Sequence, residues 1–238
     1  MKKISCIVCA YNEGARIGSV LEVLSKHDLI DEILVVDDCS SDNTSLVARD
    51  FAKVKLITLE KNSGKSHAFG VGLEQASGDL ILMVDADLIN LLSENITRIL
   101  QPVVGGDTDV SFSLRKNSIS IYTFLGVDFF VQKILRLDIL SGERVLPKNI
   151  LVPYIEEIKK ISGYALETFL NKILIKNKLS IAVVRWSNVT NPTKQAKNGF
   201  WKGLLKEIYM LKQIGTNVSA FESLMQNYRL FSLVKIRK

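Results

Sequence analysis

Between Lys3 and Val84 the chain repeats one pattern: a short apolar run rich in β-branched residues, then a segment with helical spacing. No other feature limits the fold so tightly. The apolar runs are Lys3–Ala10, Glu32–Val36, Val54–Thr58 and Leu80–Val84. Between them lie Ala15–Ser25, with Ile17, Val20, Leu21 and Leu24 at helical spacing, and Asp42–Phe51, capped by Ser41 or Asp42. The third is Ser66–Ala76, entered through the loop Lys61–Lys65. Continuous apolar strands alternating with helices of about three turns predict an α/β fold, a mostly parallel central sheet with helices on both faces. Ligands of such sheets bind outside the carboxyl ends of the strands. That rule singles out Tyr11–Gly14, Asp37–Thr44 and Asp85–Asp87.

The second half is less regular. Ile96–Val103, Ile119–Leu137, Glu167–Asn177 and Phe200–Gln213 read as helices, and Asp109–Leu114 and Ser180–Arg185 as strands. Ile119–Leu137 is long and apolar, which suits a helix packed on the core or one resting on a membrane face. With no repeat and no clear linker, the 238 residues read as one domain with a C-terminal extension.

Charge and cysteine content narrow the setting. A net charge of +6 favours an anionic partner as readily as it suits a solvated basic surface. Cys6 and Cys9 form a CxxC, but within a strand that spacing puts them on opposite faces, so buried free thiols are expected instead of a redox pair or a zinc knuckle. Three cysteines and no secretory apolar region after Met1 predict a cytoplasmic chain. No run reaches the roughly 20 apolar residues that span a bilayer, so membrane contact would be peripheral or through a membrane-protein partner.

Four segments carry candidate chemistry. Tyr11-Asn12-Glu13 at a strand-to-helix junction offers an aromatic face and helix-start amides to a nucleotide, or simply a cap at Asn12. Asp37 and Asp38 end the next strand, where a carboxylate can accept from a ribose or base, or stabilise its own turn. Lys65, after the turn Asn62–Gly64, has the reach and charge for a phosphate; the P-loop spacing is absent. His67 reads as a surface or packing residue. In ILMVDADL, alternation places Asp85 and Asp87 on one face past the strand end. Two like charges there raise each other's pKa unless a cation relieves them, and hard divalent ions such as Mn²⁺ or Mg²⁺ favour such oxygens.

Taken in order, YNE, VVDDxSxDxT, NxGKxxA and DAD resemble the family 2 glycosyltransferases of the GT-A fold. The resemblance implies a nucleotide-diphosphate sugar as donor, not a nucleic acid partner. It implies that Tyr11, Glu13 and Asp38 hold base and ribose, with Ala10 and Ala86 beside them, and that Lys65 lies near the nucleotide. Asp85 and Asp87 would form the DxD motif, holding Mn²⁺ or Mg²⁺ on the diphosphate. It divides the chain into a nucleotide-sugar half (1–105), an acceptor half (106–190) and a basic helical extension (191–238). Cys39 stands where the family commonly has glycine.

Asp138-Ile-Leu-Ser141-Gly142-Glu143-Arg144 resembles the DxxSGxR segment of polyprenyl- and dolichyl-phosphate sugar synthases, and Gly163–Glu167 the region after it. There Ser141 and Arg144 would sit near the acceptor phosphate or donor diphosphate, and Arg144 would clamp a phosphate unless it only pairs with a glutamate in a surface turn. Ile89 replaces the usual glutamine after DADL, and Val184-Arg185-Trp186 lacks the usual proline. Lys194 and Lys197 lie where a basic contact would help.

The expected reaction is an inverting sugar transfer, with the acceptor a lipid phosphate or a cell-envelope glycan. The metal on Asp85 and Asp87 would neutralise the departing diphosphate, assisted by Lys65 or Arg144. A hydroxyl acceptor needs a base, for which Glu167 is the first candidate and Glu143 the second; a phosphate acceptor needs none. The alternative is a non-catalytic nucleotide-sugar-binding or membrane-associated scaffold of the same fold. A nucleotidyltransferase would carry a glycine-rich loop where Tyr11–Gly14 stands.

Overall fold

The computed structural model describes residues 2–115, 141–161, 165–192 and 220–237. The strands are β1 (Ile4–Ala10), β2 (Glu32–Asp37), β3 (Val54–Thr58), β4 (Leu80–Met83), β5 (Val110–Arg115), β6 (Arg144–Pro147), β7 (Ile181–Trp186) and β8 (Val234–Arg237). The helices are α1 (Ile17–Ser25), α2 (Thr44–Arg49), α3 (Lys65–Gln75), α4 (Ser93–Val104), a short α5 (Lys148–Leu151), α6 (Ile155–Lys160), α7 (Leu166–Lys176) and α8 (Ala220–Leu233). The helices expected over Ile119–Leu137 and Phe200–Gln213 lie outside the described residues, as do Lys194 and Lys197.

The strands form one sheet in the order β3-β2-β1-β4-β6-β5-β7-β8. β1 through β4 pair in parallel, as their continuous apolar runs require of a sheet covered on both faces. β6 departs from this: it lies antiparallel between β4 and β5. β5, β7 and β8 then continue in parallel. Apart from the β6 insertion, this is the expected α/β architecture.

Alternation along the strands builds two cores, one on each face. Ile4, Cys6, Val8 and Ala10 of β1 pack with α1, α4 and Trp186. Ile7 packs on the other face with Phe69 and Leu73 of α3 and Leu170 and Leu174 of α7, and Cys9 lies against that cluster. The two cysteines therefore face opposite ways, as their spacing predicts, and all three cysteines are free. Burial pushes the Cys9 thiol up to about 12 and Cys6 higher still, so neither supplies a thiolate at neutral pH.

Candidate functional site

The strands β1, β2 and β4 end at one edge of the sheet, and the loops leaving them interlock. After β1 the backbone of Asn12 turns left-handed, at φ +55°. Its N–H donates to Ser40 Oγ and its Oδ1 accepts the Ser41 N–H, both at 2.8 Å, so the first loop is fastened to the second. Cys39 has φ +63°, a region glycine enters without steric cost, at the position where the family commonly has glycine. Asp37 is committed to its own turn, accepting from Ser40 and Ser45.

Asp38 is buried and serves the third loop. Its two oxygens accept the backbone N–H groups of Ser63 and Gly64, each at 2.7 Å. Gly64 adopts φ +90°, which disfavours a side chain. This turn aims α3 so that its first residue, Lys65, reaches across the sheet edge. Tyr11, directly after β1, presents an exposed ring, and Glu13 pairs with Arg16 at 3.2 Å. Ala10, at the end of β1, and Ala86, three residues past β4, are buried, and the Ala10 carbonyl accepts the Asp38 N–H at 2.9 Å.

Lys65 Nζ lies 2.9 Å from Asp85 Oδ1 and 2.9 Å from Glu167 Oε1. One ammonium thus joins the carboxylate that ends β4 to the first turn of α7, two elements far apart in sequence. Burial favours the neutral amine, but the two carboxylates outweigh it and hold Lys65 well above its ordinary value. For Asp85 burial would raise the pKa, yet the charges of Lys65 and Arg115 win and lower it to about 2. Asp87, beyond the buried Ala86, accepts from Asn191 Nδ2 at 3.0 Å.

The loop Ser141–Glu143 closes the floor. A Cβ on Gly142 would come within 2.6 Å of an Asp85 oxygen, so only glycine lets this loop approach the carboxylate so closely. Glu143 is fully buried, accepts from Ser113 Oγ at 2.6 Å and pairs with Arg115 at 3.3 Å. Burial raises its pKa, opposed chiefly by Arg115.

Three sequence expectations are corrected here. Arg144 is not an exposed phosphate clamp: it opens a central strand and is fully buried. Its Nε donates to the Ser141 carbonyl, one NH group to Asn171 Oδ1, both at 2.7 Å, and the guanidinium lies 4.4 Å from the centre of the Phe112 ring. Ser141 is buried too, with its hydroxyl 2.7 Å from Ser113 Oγ, below the ligand edge. Glu143, the second candidate base, is sealed in the same layer. The sequence reading missed Arg115 and Asn191, although both lie at or just past strand ends, the rule that found the others. His67, given no role, is 3.3 Å from the Lys159 carbonyl.

Among the described residues no group of three or more His, Cys, Asp and Glu is arranged to hold a metal. The candidate donors are the Asp85 and Asp87 carboxylates of the DAD segment. Two hard oxygen donors fit a dication that leaves most of its shell for diphosphate and water, the usual habit of Mg²⁺ at phosphate sites.

The sequence model of Glycosyl transferase family 2 matches residues 5–147, more than half of the chain and all the strands from β1 to β6. The chain belongs to that family. Among curated relatives, this family 2 member is 40% identical over 101 residues to dolichyl-phosphate beta-glucosyltransferase of Mus musculus, covering 36% of this chain and 31% of that protein. It is 34% identical over 126 residues to undecaprenyl-phosphate 4-deoxy-4-formamido-L-arabinose transferase of Aeromonas hydrophila, covering 49% and 38%. The chain thus spans only about a third of the length of these relatives. Its fold is that of glucosyl-3-phosphoglycerate synthase of Mycobacterium tuberculosis in complex with phosphoglyceric acid, with TM-score 0.70 and 22% identity over 90% of this chain and 79% of that one. A second structure of that synthase, in complex with Mn²⁺, UDP-glucose and phosphoglyceric acid, superposes with TM-score 0.68 at 23% identity. The sheet order and the likeness to these structures establish the expected GT-A fold.

Proposed function

We propose that this chain is a metal-dependent, inverting glycosyltransferase that moves a sugar from a nucleotide-diphosphate sugar to a phosphate acceptor of the polyprenyl type. The observation that carries the reading is the Lys65 ammonium held between Asp85 and Glu167, at the edge where three parallel strands end. Family membership and the similarity to dolichyl- and undecaprenyl-phosphate sugar transferases support the donor and acceptor classes.

Asp85 and Asp87 would hold the Mn²⁺ or Mg²⁺, whose chemistry is to neutralise charge on the departing diphosphate. Tyr11 offers its exposed ring to the base, and Asp38 shapes the turn that presents Lys65. Lys65 is paired with Asp85 at 2.9 Å and would turn from the carboxylate to a phosphate oxygen as the donor arrives. Glu167 gives Lys65 its second anchor, and it is the carboxylate placed to take a proton if the acceptor is a hydroxyl. A phosphate acceptor is already ionised.

Glu167→Gln separates the two acceptor classes. On a phosphate acceptor it loses only the Lys65 contact, so turnover with a polyprenyl phosphate should stay within about tenfold of wild type, tenfold being about 1.4 kcal/mol of barrier. A loss of several hundredfold on that acceptor would overturn the phosphate reading and make Glu167 a base.

A further inference from the structure

We propose that residues 187–191, the strap following β7, fix the second carboxylate of the metal pair, with Asn191 as the positioning residue for Asp87. This rests on the reading of Asp85 and Asp87 as a metal site. The strand pairing of β4 ends at Met83 and the Val84 N–H still bonds the Ile7 carbonyl at 3.2 Å, so the chain leaves the sheet from Asp85 onward. The strap supplies the missing neighbour. Ile89 and Thr190 form an antiparallel bridge, with N–H to carbonyl distances of 2.8 and 3.2 Å in the two directions.

Side-chain amides lock the bridge at its outer end. Asn188 Nδ2 donates to the Asn90 carbonyl at 2.9 Å and to Asn95 Oδ1 at 3.2 Å, and Asn95 Nδ2 donates back to Asn188 Oδ1 at 3.1 Å. Val189 is fully buried between them and anchors the strap in the core. At the inner end Asn191 Nδ2 donates to Asp87 Oδ1 at 3.0 Å. A carboxamide orients that oxygen without itself bringing a positive charge. A lysine or arginine at the same place would compete with the metal. Partners that orient a ligating carboxylate in this way typically contribute 10–100-fold to metal affinity.

The probe is Mn²⁺ itself, with its unbound fraction followed by electron paramagnetic resonance in the presence of UDP, GDP, CDP or dTDP in turn. Asn191→Ala, and Asn191→Leu as the variant that keeps the side-chain volume, should weaken Mn²⁺ uptake at least about tenfold while the melting temperature without metal stays near that of wild type. Asn188→Ala should lower the melting temperature more than either. If both Asn191 variants bind Mn²⁺ as wild type does, the inference is overturned while the metal site stands. If wild type takes up no Mn²⁺ with any of the nucleotides, both are overturned.

Discussion

Lys65 is a single side chain whose loss would be felt in two places, because Asp85 and Glu167 share its ammonium. Lys65→Met removes that ammonium and leaves the half-buried Asp85 and the buried Glu167 without it. Complete loss of a buried partner costs about 3–5 kcal/mol, but Lys65 is partly exposed and water screens the pair, so a cost of about 1–2 kcal/mol is expected at neutral pH. The sign with pH follows from Asp85, whose pKa is held down at about 2 in the fold. That stabilisation is present above the unfolded value of about 3.9 and is lost as pH falls towards the folded one. Urea midpoints of wild type and Lys65→Met should therefore differ at pH 7 and converge below about pH 4. Gly142→Ala tests the same carboxylate from below: its Cβ would strike the Asp85 oxygens, so a stability loss of about 1–3 kcal/mol is expected together with weaker Mn²⁺ uptake. At this scale Asp85 and Asp87 stood out in the sequence because charge just past an apolar strand needs a reason, and Lys65 because it follows the turn Asn62–Gly64 at a helix start. Arg144 was read as a phosphate clamp because Ser-Gly-Glu-Arg resembles the DxxSGxR segment, and only the pairing of Phe112 with Arg144 across β5 and β6 reveals a buried cation stacked on a ring.

The elements divide by how much of their pattern is local. β1 to β4 and α1 to α3 were readable because each strand is a mainly apolar run, interrupted in β3 by Lys55, and each helix follows a loop of turn residues. β6 was not, since Arg144–Pro147 is short, opens on a charge and ends on a proline; it is a strand because β4 and β5 flank it. β8 was equally hidden, its Val234–Arg237 alternating apolar and basic residues beside β7. Packing between elements also sets a pH dependence. His27 is buried where the loop after α1 meets α4: Nδ1 accepts the Leu29 N–H at 3.3 Å, so Nε2–H donates to Thr97 Oγ1 at 3.0 Å. Burial lowers its pKa, the nearby Lys53 lowers it further, and Asp28 opposes both. The unfolded chain therefore takes up the proton more readily. This contribution to stability is complete above the unfolded value of about 6.5 and is lost as pH falls through the lower folded one. His27→Gln should be less stable than wild type at pH 7.5, and the gap between their urea midpoints should narrow at pH 5.5. A gap that widens on acidification would contradict the assignment.

For the molecule as a whole, the sheet brings parts of the chain far apart in sequence to one edge. Residues before about 100 supply Tyr11, Asp38, Lys65, Asp85 and Asp87, and the later half supplies Gly142, Glu167 and Asn191. The first set could be found from the sequence because Tyr11, Asp38, Asp85 and Asp87 lie just past the ends of β1, β2 and β4, and Lys65 opens the helix that follows the turn Asn62–Gly64. The second could not be placed, because its position depends on β6 inserting antiparallel and on the strap returning to Ile89. Among the described residues no helix is long and apolar enough to cross a membrane. The account stands or falls on Asp85 and Asp87 holding a dication together with a nucleoside diphosphate. Thermal unfolding with UDP, GDP, CDP or dTDP, each with and without Mn²⁺, tests this most directly. A ligand at 100 times its Kd adds about 2.7 kcal/mol, or roughly 5–10 °C for a chain of this size. We expect a shift of that order with one nucleotide and Mn²⁺ together, little with either alone, and none in Asp85→Asn/Asp87→Asn. No shift with any nucleotide and metal, or a shift that survives the double substitution, would contradict it.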